Sequence, residues 1–196
     1  MEIQNSRKGE LMEYIHRAIE DIVKESATNF KAVLVTGARQ TGKSTMLKQL
    51  YSEIKEISFD DPFAEEQAKN NPDMFMMLNE PPVFLDEIQY VPSLFRYIKM
   101  SCDKSNDKGL FFLSGSQPFK LMDMVSDSLA GRIAIIEMTP LSLREIMNDE
   151  FKTPFLPTLE YIQERNISVK KPDNIWKIIH RGGYPEIQDQ NMDWNM

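Results

Sequence analysis

Residues 37–44 constrain this chain more than any other stretch: Gly37-Ala38-Arg39-Gln40-Thr41-Gly42-Lys43-Ser44. The spacing is G-x-x-x-x-G-K-[ST], a phosphate-binding loop. The glycines let the backbone turn tightly and bring the N–H groups of the loop, from Gly37 to Thr45, up to phosphate oxygens. Lys43 offers a point charge to the outer phosphates. Ser44 offers a hydroxyl to Mg²⁺. The surrounding pattern supports the loop. Lys31-Ala32-Val33-Leu34-Val35-Thr36 is a short apolar, β-branched run and predicts a buried strand. Met46, Leu47, Leu50, Tyr51 and Ile54 recur at helical steps and predict one helix face. The N-terminus of that helix points its dipole at the same anion.

Val83-Phe84-Leu85 is a second apolar run, and it ends in Asp86-Glu87. A parallel strand delivers its C-terminal residues to the ligand edge of a sheet. Asp86 is therefore the candidate Mg²⁺ carboxylate and Glu87 the candidate base that polarises an attacking water. The plainer alternative is an acidic strand-to-helix turn. A water-activating glutamate is a liability in a small-molecule kinase, and the chain carries no N-K-x-D guanine reader. ATP hydrolysis is thus favoured over phosphoryl transfer and over GTP. Two other readings compete: a non-hydrolysing ATP-dependent switch, and a DNA-associated regulatory module.

The rest of the chain repeats the same alternation. Leu11, Tyr14, Ile15, Ala18, Ile19, Ile22 and Val23 predict a first helix, with His16 on its surface or at a cap. Glu56–Phe59 predicts a second strand, followed by helices opened by Pro62, with Asp61 as cap, and by Pro72. The methionines after Pro72 read as core filling. Leu94 to Lys99 belong to the next helix. Gly109–Leu113 predicts a fourth strand, and a helix is expected from Pro118 through Met124. Ile133–Ile136 predicts a fifth strand, with a short helix around Leu143–Ile146. Strands that are apolar throughout and separated by helices imply an α/β fold, a parallel sheet covered on both faces. Residues 1–150 form the expected nucleotide-binding core. Beyond them prolines punctuate helical pieces at Thr158–Glu164 and Asp173–His180, so residues 151–196 read as the start of a small helical lid.

Composition narrows the partners. With 196 residues, 41% of them hydrophobic, the core can be substantial without disulfides. A single cysteine, Cys102, excludes a disulfide framework and a cysteine-based zinc site. A net charge of −7 argues against broad nucleic-acid binding by this chain alone. No signal peptide or long apolar span is visible, so a cytoplasmic location away from the membrane is expected.

Gly37–Thr45, Asp86-Glu87-Ile88-Gln89, Ser114-Gly115-Ser116, Leu129-Ala130-Gly131-Arg132 and Gly182-Gly183-Tyr184-Pro185-Glu186 occur in that order. Together they resemble the prokaryotic AAA-type ATPases that carry a DUF4143 C-terminal region, over a span from about Phe30 to Glu186. The resemblance implies an AAA+ type P-loop NTPase core that binds ATP and Mg²⁺. It implies a γ-phosphate sensor at Ser114 or Ser116, against the alternative of a helix cap. It implies that Pro185 packs near adenine, against the alternative that Gly182-Gly183 simply stops a helix. It implies an arginine finger at Arg132, reaching a neighbouring copy in a homo-oligomer, against the alternative of an ordinary ion-paired arginine. Such proteins typically continue for about another domain's length. The output domain is therefore expected to be missing from this chain, and the protein partner is not legible.

Overall fold

The computed structural model describes residues 14–117, 121, 125, 129–149 and 153–188. Five strands form one sheet: β1 (Ala32–Thr36), β2 (Lys55–Ser58), β3 (Val83–Asp86), β4 (Phe111–Gly115) and β5 (Ile133–Glu137). Their spatial order is β2-β3-β4-β1-β5, and every pairing is parallel. Eight described helices accompany them: α1 (Glu20–Asn29), α2 (Lys43–Leu50), α3 (Pro62–Asn70), α4 (Pro72–Leu78), α5 (Leu94–Lys104), α6 (Leu143–Ile146), α7 (Leu159–Ser168) and α8 (Ile175–Arg181). Short 3₁₀ turns lie at Ile88–Tyr90 and Glu186–Gln188.

The continuous apolar reading of β1 has a direct cause. Ala32 and Leu34 face one core with Leu85, Phe111, Leu113 and the buried side chains of α4 and α5. Val33 and Val35 face the other, with Phe84, Phe112, Ile136 and Met46 and Leu47 of α2. Successive side chains of a strand alternate between faces, so a sheet covered on both sides selects apolar residues at every position. The edge strand β2 has no such demand, and its Lys55 and Glu56 are exposed.

The prolines act as expected. Asp61 caps α3 by accepting from Phe63 N–H at 3.0 Å, and Asn71 caps α4. Two expectations change. The first helix starts at Glu20, not near Tyr14, because Arg17 N–H donates to the Glu20 carboxylate at 2.6 Å and closes the helix there. Residues 14–17 run as an irregular strap. His16 is exposed and pairs with Glu20, as a cap would. The methionines of α4 are core filling only in part: Met76 packs against the core beside buried Phe75, whereas Met74 and Met77 are 55% and 76% exposed. Leu11 and the helix expected from Pro118 to Met124 lie outside the described residues, except for Leu121, which is buried.

A buried ion pair fastens the strap. The Arg17 guanidinium donates to Glu145 Oε1 at 3.0 Å, to Thr41 O at 2.7 Å and to Thr139 O at 2.7 Å. The two side chains are 5% and 7% exposed. Glu145 also accepts from Ala18 N–H and completes a capping box with Ser142 at the start of α6. Burial pushes its carboxyl upward, but the amides of Ala18 and Ser142, the Ser142 hydroxyl and Arg17 prevail and hold it below the ordinary 4.5. A depressed carboxyl stabilises the fold above its unfolded value and stops doing so as pH falls through its folded value. Glu145→Gln should therefore lose about 3 kcal/mol of stability at pH 7, the scale for a broken buried pair. Urea melts of parent and variant at several pH values should converge in acid, below the ordinary carboxyl range.

Candidate functional site

The C-terminal edge of the sheet gathers the candidate residues. β1 leads into Gly37 and the loop, β3 ends at Asp86 with Glu87 next, and β4 ends at Ser114 and Gly115 with Ser116 next. Because β4 lies between β3 and β1, the tip of β4 stands between the carboxylates and the loop. Parallel pairing fixes their heights, with Thr36 opposite Gly115 and Leu85 opposite Leu113.

The loop can take this course only with its glycines. Gly37 has φ +146°, and a Cβ there would lie 2.2 Å from Met138 O. Gly42 has φ +92° and lies against Pro185, Arg17 and Met138. Gln40 also sits in left-handed backbone, at φ 61°. Such strain in a non-glycine residue costs about 1–3 kcal/mol and concentrates at functional sites. Among the described residues, the backbone N–H groups of residues 39–44 donate to no protein acceptor. A run of free amides ahead of a helix is a ready anion nest.

Lys43 is buried, and its ammonium donates to Gly37 O at 3.1 Å and Ala38 O at 2.8 Å. Burial holds its pKa below the usual lysine range and nearby Arg39 lowers it further, while Glu87 and Asp86 oppose both. Ser44 donates to Asp86 Oδ1 at 2.7 Å. Ser114 is wholly buried and donates a short bond to the same oxygen. It also accepts from Glu87 N–H at 3.2 Å. Glu87 itself is left-handed, at φ 53°. Its Oε2 accepts from Ser116 at 3.0 Å and from Gln89 Nε2, while its Oε1 has no partner among the described residues.

A hydroxyl and one buried carboxylate are hard oxygen donors of the kind Mg²⁺ takes when phosphates and waters complete its shell. No group of three or more His, Cys, Asp or Glu that could cage a metal occurs among the described residues. The donor set of Ser44 and Asp86 fits a metal whose remaining positions are filled by phosphate and water.

Beside the loop lies a mainly apolar cavity of about 140 Å³, lined by Tyr14, Ile15, Arg17, Thr41, Gly42, Thr45, Leu141 and Pro185. Pro185 arrives there because Gly182, at φ +80°, ends α8 and Gly183 packs on Leu141. A Cβ on Gly183 would meet Leu141 O at 2.6 Å, and Leu141 N–H donates to Gly183 O. The helix stop and the placing of Pro185 are the same feature. Sequence reasoning missed Arg17, Tyr14, Ile15, Leu141 and Gln89 as parts of this region. The S-x-x-E of Ser142 and Glu145 was the one local signal that α6 began beside it.

Arg132 stands apart. It precedes β5, whose Ile133 pairs with Ala32 at the start of β1, so it lies at the edge of the sheet opposite the loop. Its guanidinium pairs with Asp103 and with Ala130 O. It does not join this chain's own constellation.

The sequence matches the AAA domain family over residues 29–147, more than half of the chain. Two curated relatives, uncharacterized proteins of Mycobacterium bovis and Mycobacterium tuberculosis, are each 29% identical over 115 residues, covering 58% of this chain and 26% of theirs. The match thus spans about a quarter of the length of those relatives. Among solved structures, a Walker-type ATPase of Pyrococcus abyssi is similar at TM-score 0.52 and 19% identity, over 88% of this chain and 65% of that one. AMPPCP-bound DnaA from Aquifex aeolicus is similar at TM-score 0.54 and 20% identity, over 87% and 58%. At these identities the likeness is one of fold.

The free amides and the buried ammonium make anion binding the first property to measure. Lys43→Ala should abolish calorimetrically detectable binding of ATP while leaving the circular dichroism spectrum unchanged. Undiminished affinity would remove the loop from the binding site.

Proposed function

The chain belongs to the AAA domain family, and from that premise we propose that it binds ATP with Mg²⁺ at residues 37–45 and hydrolyses it slowly. The observation that carries this reading is the convergence of unpaired loop amides, Lys43, the Ser44–Asp86 pair and Glu87 on one sheet edge. The phosphates occupy the nest. Lys43 exchanges two carbonyl oxygens for phosphate oxygens, a stronger, charge-assisted pairing. The base lies in the apolar cavity between Ile15 and Pro185. Ser44 and Asp86 hold the Mg²⁺, which when bound neutralises charge on the outer phosphates.

Glu87 is the general base. Ser116 and Gln89 anchor its Oε2, which leaves Oε1 to accept a proton from the attacking water. Ser116, partly exposed at the tip of β4, is the better placed of the two serines to feel the γ-phosphate. Buried Ser114 spaces Asp86 from Glu87. We assign Arg132 to another copy's site, since its own lies across the sheet. What the hydrolysis drives belongs to a region such as the DUF4143 segment that the sequence resemblance implies. The cytoplasm is the proposed location; no described helix is long and apolar enough to cross a membrane.

Glu87→Gln should keep ATP bound and lose about 10²–10⁴-fold in turnover, the range for a positioned base. Multiple-turnover phosphate release measures it, and normal turnover would reduce Glu87 to a turn residue. If Arg132 acts in trans, turnover per subunit should rise with protein concentration. Mixing Arg132→Ala with Lys43→Ala protein should then restore activity that neither has alone. Concentration-independent turnover without rescue would leave Arg132 as the partner of Asp103.

A further inference from the structure

Three polar side chains of the loop have protein partners that place them. Thr41 donates to Ala38 O, Lys43 to two carbonyls and Ser44 to Asp86. Arg39 is exposed, and among the described residues no carboxylate pairs with it. Its described hydrogen bond is from Nη2 to the Tyr90 hydroxyl at 3.2 Å, a neutral acceptor. A guanidinium has five N–H donors in a planar fork, so this contact uses little of its capacity.

The position of that contact is informative. Arg39 follows Gly37 and Ala38, whose carbonyls hold the Lys43 ammonium. It is close enough to Lys43 to depress that lysine's proton affinity. Tyr90 ends the 3₁₀ turn that begins one residue after Glu87, and its ring packs on the core. The Arg39–Tyr90 contact therefore spans from the tip of the loop to the segment bearing the candidate base, beside the place where the outermost phosphate would lie. Arg39 and Lys43 repel each other while Glu87 and Asp86 offset that repulsion, and an incoming phosphate brings negative charge to both cations at once. An exposed bond to a neutral hydroxyl is readily exchanged for a charge-assisted, two-pronged pairing with phosphate.

We propose that the Arg39 side chain leaves Tyr90 to contact the γ-phosphate, so that the loop itself supplies a guanidinium that distinguishes a nucleoside triphosphate from a diphosphate. This assignment rests on the nucleotide-binding reading of the same loop. It differs from the backbone role shared by all loop residues, and it acts within one chain, unlike Arg132. Tyr90 is the resting partner that keeps the guanidinium near the cleft when the phosphate is absent.

The test needs only binding. Dissociation constants for ADP and for a non-hydrolysable ATP analogue, both with Mg²⁺, are measured calorimetrically on the parent chain, Arg39→Ala, Arg39→Lys and Tyr90→Phe. Arg39→Ala should weaken the analogue about tenfold, or 1.4 kcal/mol, and change ADP by less than about twofold. Arg39→Lys should recover part of the loss, since it restores charge but not the fork. Tyr90→Phe should leave the analogue as tightly bound as in the parent, or tighter. Equal weakening of both nucleotides in Arg39→Ala, or weakening of neither, overturns the assignment. So does a loss of analogue affinity in Tyr90→Phe that matches Arg39→Ala, because the Arg39–Tyr90 contact would then be what matters. If the parent binds neither nucleotide, the reading of the loop falls first and this assignment falls with it.

Discussion

Asp86 Oδ1 is the point on which the site depends. It accepts from Ser44 at the start of α2 and from Ser114 on β4, so one oxygen ties three segments of the sheet edge together. A carboxylate 7% exposed needs such donors, because a buried charge without them would be neutralised or expelled. The geometry follows from the strand order. β4 inserts between β3 and β1, and a serine at its tip is the right length to reach the carboxylate on one side while leaving the loop free on the other. A hydroxyl can donate and accept at once, and Ser114 does both, donating to Asp86 and accepting from Glu87 N–H. That second bond supports Glu87 in a left-handed conformation that few non-glycine residues adopt. The candidate base and the candidate metal ligand are thus held by the same residue.

The Arg17–Glu145 pair gives the site its second wall. A buried ion pair is rarely a net source of stability, because desolvation consumes much of the attraction. Here its value lies in what it joins. The guanidinium reaches the carbonyls of Thr41 and Thr139, so the loop, the segment after β5, the N-terminal strap and α6 share one anchor. The loop and the strap lack a regular backbone ladder of their own, so this anchor ties them to the segment after β5 and to α6. The apolar cavity lies along this junction and is formed by the strap and by Leu141 and Pro185. A wholly apolar anchor could pack the same volume, but it would leave the two carbonyls unpaired in a buried setting.

The five strands, their parallel pairing and the loop were legible because each rests on a local rule: apolar runs, glycines at fixed offsets, proline at a helix start. Asp86, Glu87 and the β4 serines were legible for the same reason, since strand ends in a parallel sheet share one edge. The strap was not legible. Tyr14, Ile15, Ala18 and Ile19 fit a helical period, and the helix stops short of them where Arg17 N–H turns to the Glu20 carboxylate and the Arg17 side chain is drawn to Thr41 O of the loop. Met74 and Met77 misled in the opposite direction. Phe75 and Met76 take the core-facing positions of α4, and Met74 and Met77 are left exposed. Pattern alone does not say which of them wins.

The charges around the loop explain how an acidic chain can present a site for an anion. The chain carries a net charge of −7, so its long-range field repels nucleotide. Within the cleft, Lys43 and Arg39 stand opposite Asp86 and Glu87, so the fixed charges nearly cancel. Attraction must then come from short-range groups: the free amides of residues 39–44 and the dipole of α2. Such groups act within one turn of helix and depend on exact backbone placement rather than on net charge. This is why the loop tolerates left-handed Gln40 and why a Cβ at Gly37 would strike Met138 O. It also separates the two arginines. One placed on the loop feels the phosphate directly, whereas Arg132, paired with Asp103 at the opposite edge, can reach a phosphate only if another copy brings one to it.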